Sequence, residues 1–274
     1  LGKRQSKKLV PNDSLFDQQW HLLDAGQAVP ASRIDLNVTN VWEKYRGQGI
    51  TLGVVDDGLE LTHPDLVSNI ILTLGYDYRD GDADPSSGGN DDYHGTQVAG
   101  VAAARGNNAV GIAGVAYEAS LAGIRLVGGN NQTDEQNAAS MVHSNQVIQI
   151  SNNSWGASDD GETLDGPGPL MKLALQDGAR NGRGGKGTIF VWPAGNGRQT
   201  QDNANYDGYA NSIYTIAAGA VNSLGQQASY GEPGACLMVV APSGVEGVPN
   251  ERGVLTTDLA GDGGQNTSAV TGDL

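Results

Sequence analysis

Five short apolar, β-branched runs, at 50–55, 147–151, 188–192, 213–218 and 237–241, alternate along this chain with stretches of helical composition. Runs of four to eight such residues, apolar throughout and not merely on alternate positions, suit strands buried on both faces. His94–Ala104, Asp134–Ser144 and Pro167–Arg180 suit helices, with proline or acidic residues near the starts of the latter two. Strand-helix alternation of this kind predicts an α/β domain with a doubly wound, mainly parallel sheet flanked by helices. Ligands of such sheets collect at the carboxyl ends of the strands. Gly-rich segments at 86–90, 182–187 and 261–264 are expected to be loops.

With 274 residues, 38% of them apolar, the chain can bury one sizeable core. The basic stretch 1–12 is expected to be a tail and 13–274 one domain. A net charge of −15 disfavours nucleic acid and anionic membrane as partners and favours cations and basic peptides. The single cysteine, Cys236, excludes an internal disulfide. No apolar run reaches membrane-spanning length, and no signal peptide is evident.

Three strings carry the chemistry. Val-Val-Asp-Asp-Gly (54–58) supplies Asp56, His-Gly-Thr (94–96) supplies His94, and Asn-Thr-Ser-Ala (266–269) supplies Ser268. A serine hydroxyl needs a base to take its proton, and the imidazole needs an acid to hold its tautomer. Read singly, Asp56 is equally a turn residue before Gly58, and a lone histidine is equally a core residue. A fourth string, Pro-Ala-Gly-Asn-Gly (193–197), places Asn196 after a predicted strand, where its amide can serve an oxyanion hole. Asp56 closes the strand before it, so both lie at the strand ends where a site is expected.

The order Asp, His, Ser is that of the subtilisins, and the resemblance extends over 13–268. Asp-Asp-Gly-Leu-Glu-Leu-Thr-His-Pro-Asp-Leu (56–66), Ser-Trp-Gly (154–156), Asp-Asp-Gly-Glu-Thr-Leu-Asp-Gly-Pro (159–167), Phe-Val-Trp-Pro-Ala-Gly-Asn-Gly (190–197), Asp-Gly-Tyr-Ala-Asn-Ser-Ile-Tyr (207–214) and Leu-Thr-Thr-Asp-Leu (255–259) resemble the kexin/furin branch of the subtilisin-like serine proteases. The resemblance implies a seven-stranded sheet of the subtilisin type and a calcium-dependent serine endopeptidase cutting after Arg or Lys. It implies that Asp159 and Asp207 meet the cation before the scissile bond, that Asp57 and Asp91 meet the next residue upstream, and that Asp165 meets one further out. A family glutamate for that outer position falls near Asn137, which implies a weaker demand there. Two calcium sites are implied: Asp13, Asp65 and Asn108 with the carbonyls of Arg105, Val110 and Ile112, and a second set of Asp159, Asp202 and Glu232.

The alternatives are a subtilase of broad specificity and a catalytically silent binding module derived from one. The family pattern around the nucleophile is broken by Asn266 in place of glycine and Gly272 in place of proline. With six residues after Ser268, the helix that presents the serine in the family is incomplete, and weak folding or no activity is expected of the chain as written. Lys3-Arg4 and Lys7-Lys8 are candidate sites for release of a propeptide. Polypeptides and a propeptide or inhibitor protein are the expected partners, and an extracellular or periplasmic space the expected compartment.

Overall fold

A computed structural model describes residues 9–24, 26, 34–89, 91–129, 132–245, 247–249, 251–261 and 263–265. Ser268, Asn266, Gly272 and the dibasic pairs near the start lie outside the described residues. Seven parallel strands form one sheet in the order β2-β3-β1-β4-β5-β6-β7. They are β1 (Thr51–Asp56), β2 (Tyr76–Asp77), β3 (Ser120–Arg125), β4 (Ile150–Asn153), β5 (Ile189–Pro193), β6 (Thr215–Val221) and β7 (Leu237–Pro242). Sequence order reverses on either side of β1, and the switch point brings the carboxyl ends of β1, β3 and β4 together.

All five predicted strands are present. β3 escapes the sequence reading because its residues, Ser-Leu-Ala-Gly-Ile-Arg, mix glycine and arginine into the run. In the sheet each has a reason. Gly123 leaves room for Leu59, and Arg125 ends the strand among carboxylates. β2, only two residues long, carries no readable period.

Among the described residues three α-helices cover the sheet: α1 (His94–Ala103), α2 (Asp134–Val142) and α3 (Pro169–Gly185). α1 is rich in alanine and glycine, and Ala99 and Ala103 pack with Val54, Leu59, Leu66 and Leu121. α2 and α3 pack on the other layer, where Met141, Met171, Leu175, Phe190 and Trp192 form the largest core. Thr133 and Gln136 close a capping box on α2. Asp134 then takes the Leu170 and Met171 amides at 2.8 and 3.1 Å, so α2 also caps α3. The regular part of α3 stops at Gly182, where the chain leaves helical geometry.

Residues 9–12, assigned to the tail by composition, pack onto the body. Leu9 lies against the core of Phe16, Leu22 and Trp42, and Pro11 is buried.

Candidate active site

β1 delivers Asp56 to the end of the sheet and buries it, 1% exposed. The amides of Leu126 and Val127 both hold the Asp56 carbonyl, and the Trp155 indole N–H holds the carbonyl of Val55. The aspartate is thus fixed on both sides by the neighbouring strands. Its Oδ1 lies 2.8 Å from His94 Nδ1. This contact assigns the Nδ1 proton to the Asp56 bond and leaves Nε2 for a second partner. The His94 side chain is half exposed. Its pKa is raised, chiefly by the Asp56 hydrogen bond, with burial opposing. Asp56 Oδ2 is buried without a hydrogen-bond partner among the described residues.

His94 is the first residue of α1. Tyr93 provides no side-chain cap; Asp57 does so instead. Asp57 Oδ2 accepts the His94 amide at 2.9 Å and Oδ1 accepts the Gly95 amide at 2.7 Å. A carboxylate at a helix N-terminus satisfies orphan amides and complements the helix dipole. Burial nevertheless pushes the Asp57 carboxyl upward. Both oxygens expected to greet substrate therefore already serve the helix. Gly95 lets α1 start this close, because a Cβ there would sit 2.1 Å from the Gly58 carbonyl oxygen. Asp91 is exposed in the turn that precedes α1.

A strap, 253–261 and 263–265, crosses α1, with its last described residue beside Tyr93. The hydroxyls of Thr256 and Thr257 donate to the carbonyls of Gln97 and Thr96. Asp258 accepts the Gln265 amide at 2.7 Å and the Gln97 side chain at 3.3 Å. The Gln265 side chain reaches the hydroxyl of Tyr93, the residue beside His94. Ser268 is three residues further along the chain, a reach of about 10 Å.

Asn196 follows β5, exposed, with its amide N–H 3.0 Å from Asp159 Oδ1. Its side-chain nitrogen makes only a long 3.4 Å contact with Asp159. Beside it runs a groove of about 320 Å³ over the ends of β4 to β7, lined by Ser154, Trp192, Asn196, Ala218 and Ala220 among others.

Asp159, Asp202, Asp207 and Glu232 share the wall of one cavity of about 10 Å³, floored by Ala157 and Ser158. That is about the space of one water. Asp207 is held by the Tyr209 and Ala210 amides, and burial raises its pKa. Glu232 is pushed up to about 7, first by burial and then by a hydrogen bond shared with Asp159 and by Asp202. The cavity thus concentrates negative charge with no cationic side chain among its lining. Asp165 is exposed; its carbonyl accepts the Gly208 amide, joining it to the Asp207 segment.

Asp13 and Asp65 are both buried and meet around Asn108. Asp13 accepts the Asn107 and Asn108 amides; Asp65 accepts the Asn108 side chain at 2.7 Å and the Ile112 amide at 2.9 Å. Burial, and the facing Asp13, push Asp65 up to about 6. Among the described residues no Lys or Arg pairs with either carboxylate. Two buried carboxylates without a countercharge, with carbonyls of the 105–112 loop nearby, are a donor set that fits a hard cation. Among the described residues no three or more His, Cys, Asp or Glu side chains are grouped to hold a metal. The first set does not depend on such a group, since it has two carboxylates and otherwise neutral oxygens. The second set, Asp159, Asp202 and Glu232, lines the same small cavity.

Arg125 and Asp258 are parts of the site that the sequence reading missed. The one available signal was an arginine closing an otherwise apolar run.

Subtilase family (Peptidase_S8) similarity spans residues 47–272. Human neuroendocrine convertase 2 is 43% identical over 257 residues, covering 91% of this chain and 40% of that protein. Furin-1 of Xenopus laevis is 40% identical over 266 residues, covering 94% of this chain and 33% of furin-1. The chain spans about two fifths of the length of the first of these relatives. Among solved structures, the Aeromonas sobria serine protease, in complex with the chaperone ORF2, superposes with a TM-score of 0.81 at 27% identity, covering 96% of this chain and 48% of that one. The proteases of Pseudoalteromonas arctica give a TM-score of 0.71 at 26% identity, covering 92% of this chain and 80% of that one. The parallel sheet, the Asp56–His94 pair at its switch point and the family match over 47–272 agree: the chain belongs to the subtilase family.

Proposed function

We propose that this chain is the catalytic domain of a calcium-dependent serine endopeptidase that cleaves polypeptides after Arg or Lys. The observation that carries the reading is the 2.8 Å bond from His94 Nδ1 to buried Asp56, with the strap leading toward it from Gln265. His94 Nε2 takes the proton of Ser268 as the hydroxyl attacks the scissile carbonyl. The Asn196 side chain and the Ser268 amide donate to the oxygen that becomes negative. His94 then gives its proton to the leaving amine, and water repeats the sequence on the acyl-enzyme.

The carboxylates of Asp159 and Asp207 receive the basic side chain before the cut. A basic side chain needs charged, hydrogen-bonding partners, and Asp159 and Asp207 belong to a carboxylate group whose lining holds no cationic side chain. Upstream preference is weaker, because Asp57 spends both oxygens on α1 and Asp91 and Asp165 face solvent. Asp13, Asp65 and Asn108, with the carbonyls of Arg105, Val110 and Ile112, would hold one calcium ion, which neutralises the buried carboxylates and fixes the loop. Asp202 and Glu232 are assigned to the negative wall of the substrate pocket. We place the protein in an extracellular or secretory compartment, where calcium is plentiful, under the restraint of a propeptide.

The test is kinetic. Matched peptides with Arg or Leu before the cleaved bond should differ by at least about tenfold in kcat/KM, the scale of 1.4 kcal/mol. A fluorophosphonate should label the full-length protein but not Ser268→Ala. Equal rates for Arg and Leu would leave a broad-specificity subtilase; absence of both labelling and cleavage would leave a binding module.

A further inference from the structure

We propose that Arg125 is a positioning residue for His94: it locks the backbone that carries the imidazole and offsets the carboxylates that surround it. The proposal rests on the reading of His94 as the base.

Arg125 ends β3 with its side chain 6% exposed. Nε donates to the Asp57 carbonyl at 3.1 Å. Nη1 donates to Asp77 and Asp80, each at 2.6 Å, and Nη2 to Asp92 at 2.9 Å. These bonds reach three segments that converge on the histidine. Asp57 directly follows β1 and holds the His94 and Gly95 amides. Asp77 belongs to β2 and folds the following turn by accepting the Arg79 and Asp80 amides. Asp92 lies two residues before His94 and also binds Arg79 and the Gly88 amide. Beyond Arg125, the same strand holds the Asp56 carbonyl through Leu126 and Val127. One guanidinium therefore ties both sides of the Asp56–His94 pair to the sheet. Gly88 has no room for a side chain, since a Cβ would lie 2.2 Å from Arg125 Nη2.

The fork geometry is what the position requires. A planar guanidinium can point separate N–H groups at a carbonyl and three carboxylates, whereas an ammonium offers a compact point charge. Charge matters as well. His94 is faced by Asp56 at the end of β1 and Asp57 just after it, and Asp92 and Tyr93 precede it in the chain. Gln265 and Asp258 lie on the strap beyond. Arg79 and Arg125 are the cations set against Asp77, Asp80 and Asp92. Removing the charge of Arg125 strands negative charge near the imidazole and raises its pKa.

Arg125→Lys retains the charge and loses the fork; Arg125→Met loses both. They are made in the full-length protein, with thermal unfolding recorded first. Arg125→Met/Asp77→Asn replaces Arg125→Met if the stranded Asp77 prevents folding. In folded Arg125→Lys, kcat per fluorophosphonate-labelled site should fall roughly 100-fold, the scale of a 1 Å misplacement. KM for an Arg peptide should stay within about threefold, the limit set by unaltered ground-state binding. In Arg125→Met the His94 ring titration, followed by NMR and assigned with His94→Gln, should also move to higher pH. A purely structural role would lower the melting temperature but leave kcat per labelled site and the His94 titration as in the parent. That result in a folded variant overturns the proposal. If the parent neither labels nor cleaves, the proposed function fails, while the His94 and Gly95 amide shifts and the ring titration still decide the role of Arg125.

Discussion

His94 carries the sharpest consequences at the residue scale. Its pKa is raised by the bond to Asp56, and only its neutral form can accept the serine proton. The acid limb of kcat/KM should therefore lie above the ordinary histidine value of about 6.5. Asp56→Asn keeps the shape but favours the wrong tautomer, so kcat should drop by about 10⁴-fold while the limb moves down. A pH series on both proteins with one Arg peptide checks this, and a limb in the parent below that ordinary value would contradict it. Asp56 and His94 could be read in the sequence because each stands in a compact motif with a distinctive spacing. The double duty of Asp57 could not: nothing in Asp-Asp-Gly reveals that the second carboxylate caps a helix beginning 37 residues later.

At the scale of elements, the helices owe their positions to carboxylates borrowed from elsewhere. Asp57 caps α1, and Asp134 caps α3 from the first turn of α2. Losing an N-cap typically costs about 1 kcal/mol, and Asp134 serves two amides of a foreign helix. Asp134→Ala should thus lower stability by roughly 1–2 kcal/mol in chemical denaturation, with little effect on kcat. Gly95→Ala is the harsher change. Its Cβ meets a backbone oxygen that cannot swing away, so α1 must shift and His94 with it. Activity should fall further than stability, measured as kcat per labelled site against midpoint denaturant.

The same scale explains what sequence could and could not disclose. Strands rich in β-branched residues were legible because burial on both faces leaves a continuous apolar signature. β3 was not, since close packing against Leu59 selected glycine and an ionic network selected arginine. The carboxylate wall of the small cavity draws on residues between 159 and 232, and no local pattern links them.

For the whole molecule, acid and chelation probe the same weakness, buried groups that depend on their charge state. His21 is 2% exposed, neither ring nitrogen has a partner among the described residues, and burial holds its pKa down to about 4. The unfolded chain takes up this proton near pH 6.5, the folded chain not until about pH 4. Stability from this group is complete above the unfolded value and falls as pH drops through the interval. Between pH 7 and 5 the loss is roughly 2 kcal/mol, and His21→Phe should reduce it. Denaturant midpoints at the two pH values measure the difference. Chelator should lower the melting temperature as well, because an ion bound only by the folded loop stabilises it by mass action. Asp65→Asn, which removes one of the two facing carboxylates, should blunt that response.

The strap over α1 links two parts of the molecule that are more than 150 residues apart in sequence. The hydroxyls of Thr256 and Thr257 rest on main-chain oxygens of α1, and a side chain at Gly100 would collide with both threonines. Opening the helix therefore means lifting the strap, and the two should exchange their amide hydrogens with solvent as one cooperative unit. His94, carried by α1, and the threonines of the strap would then be lost and regained together, with no partly melted state that keeps one without the other.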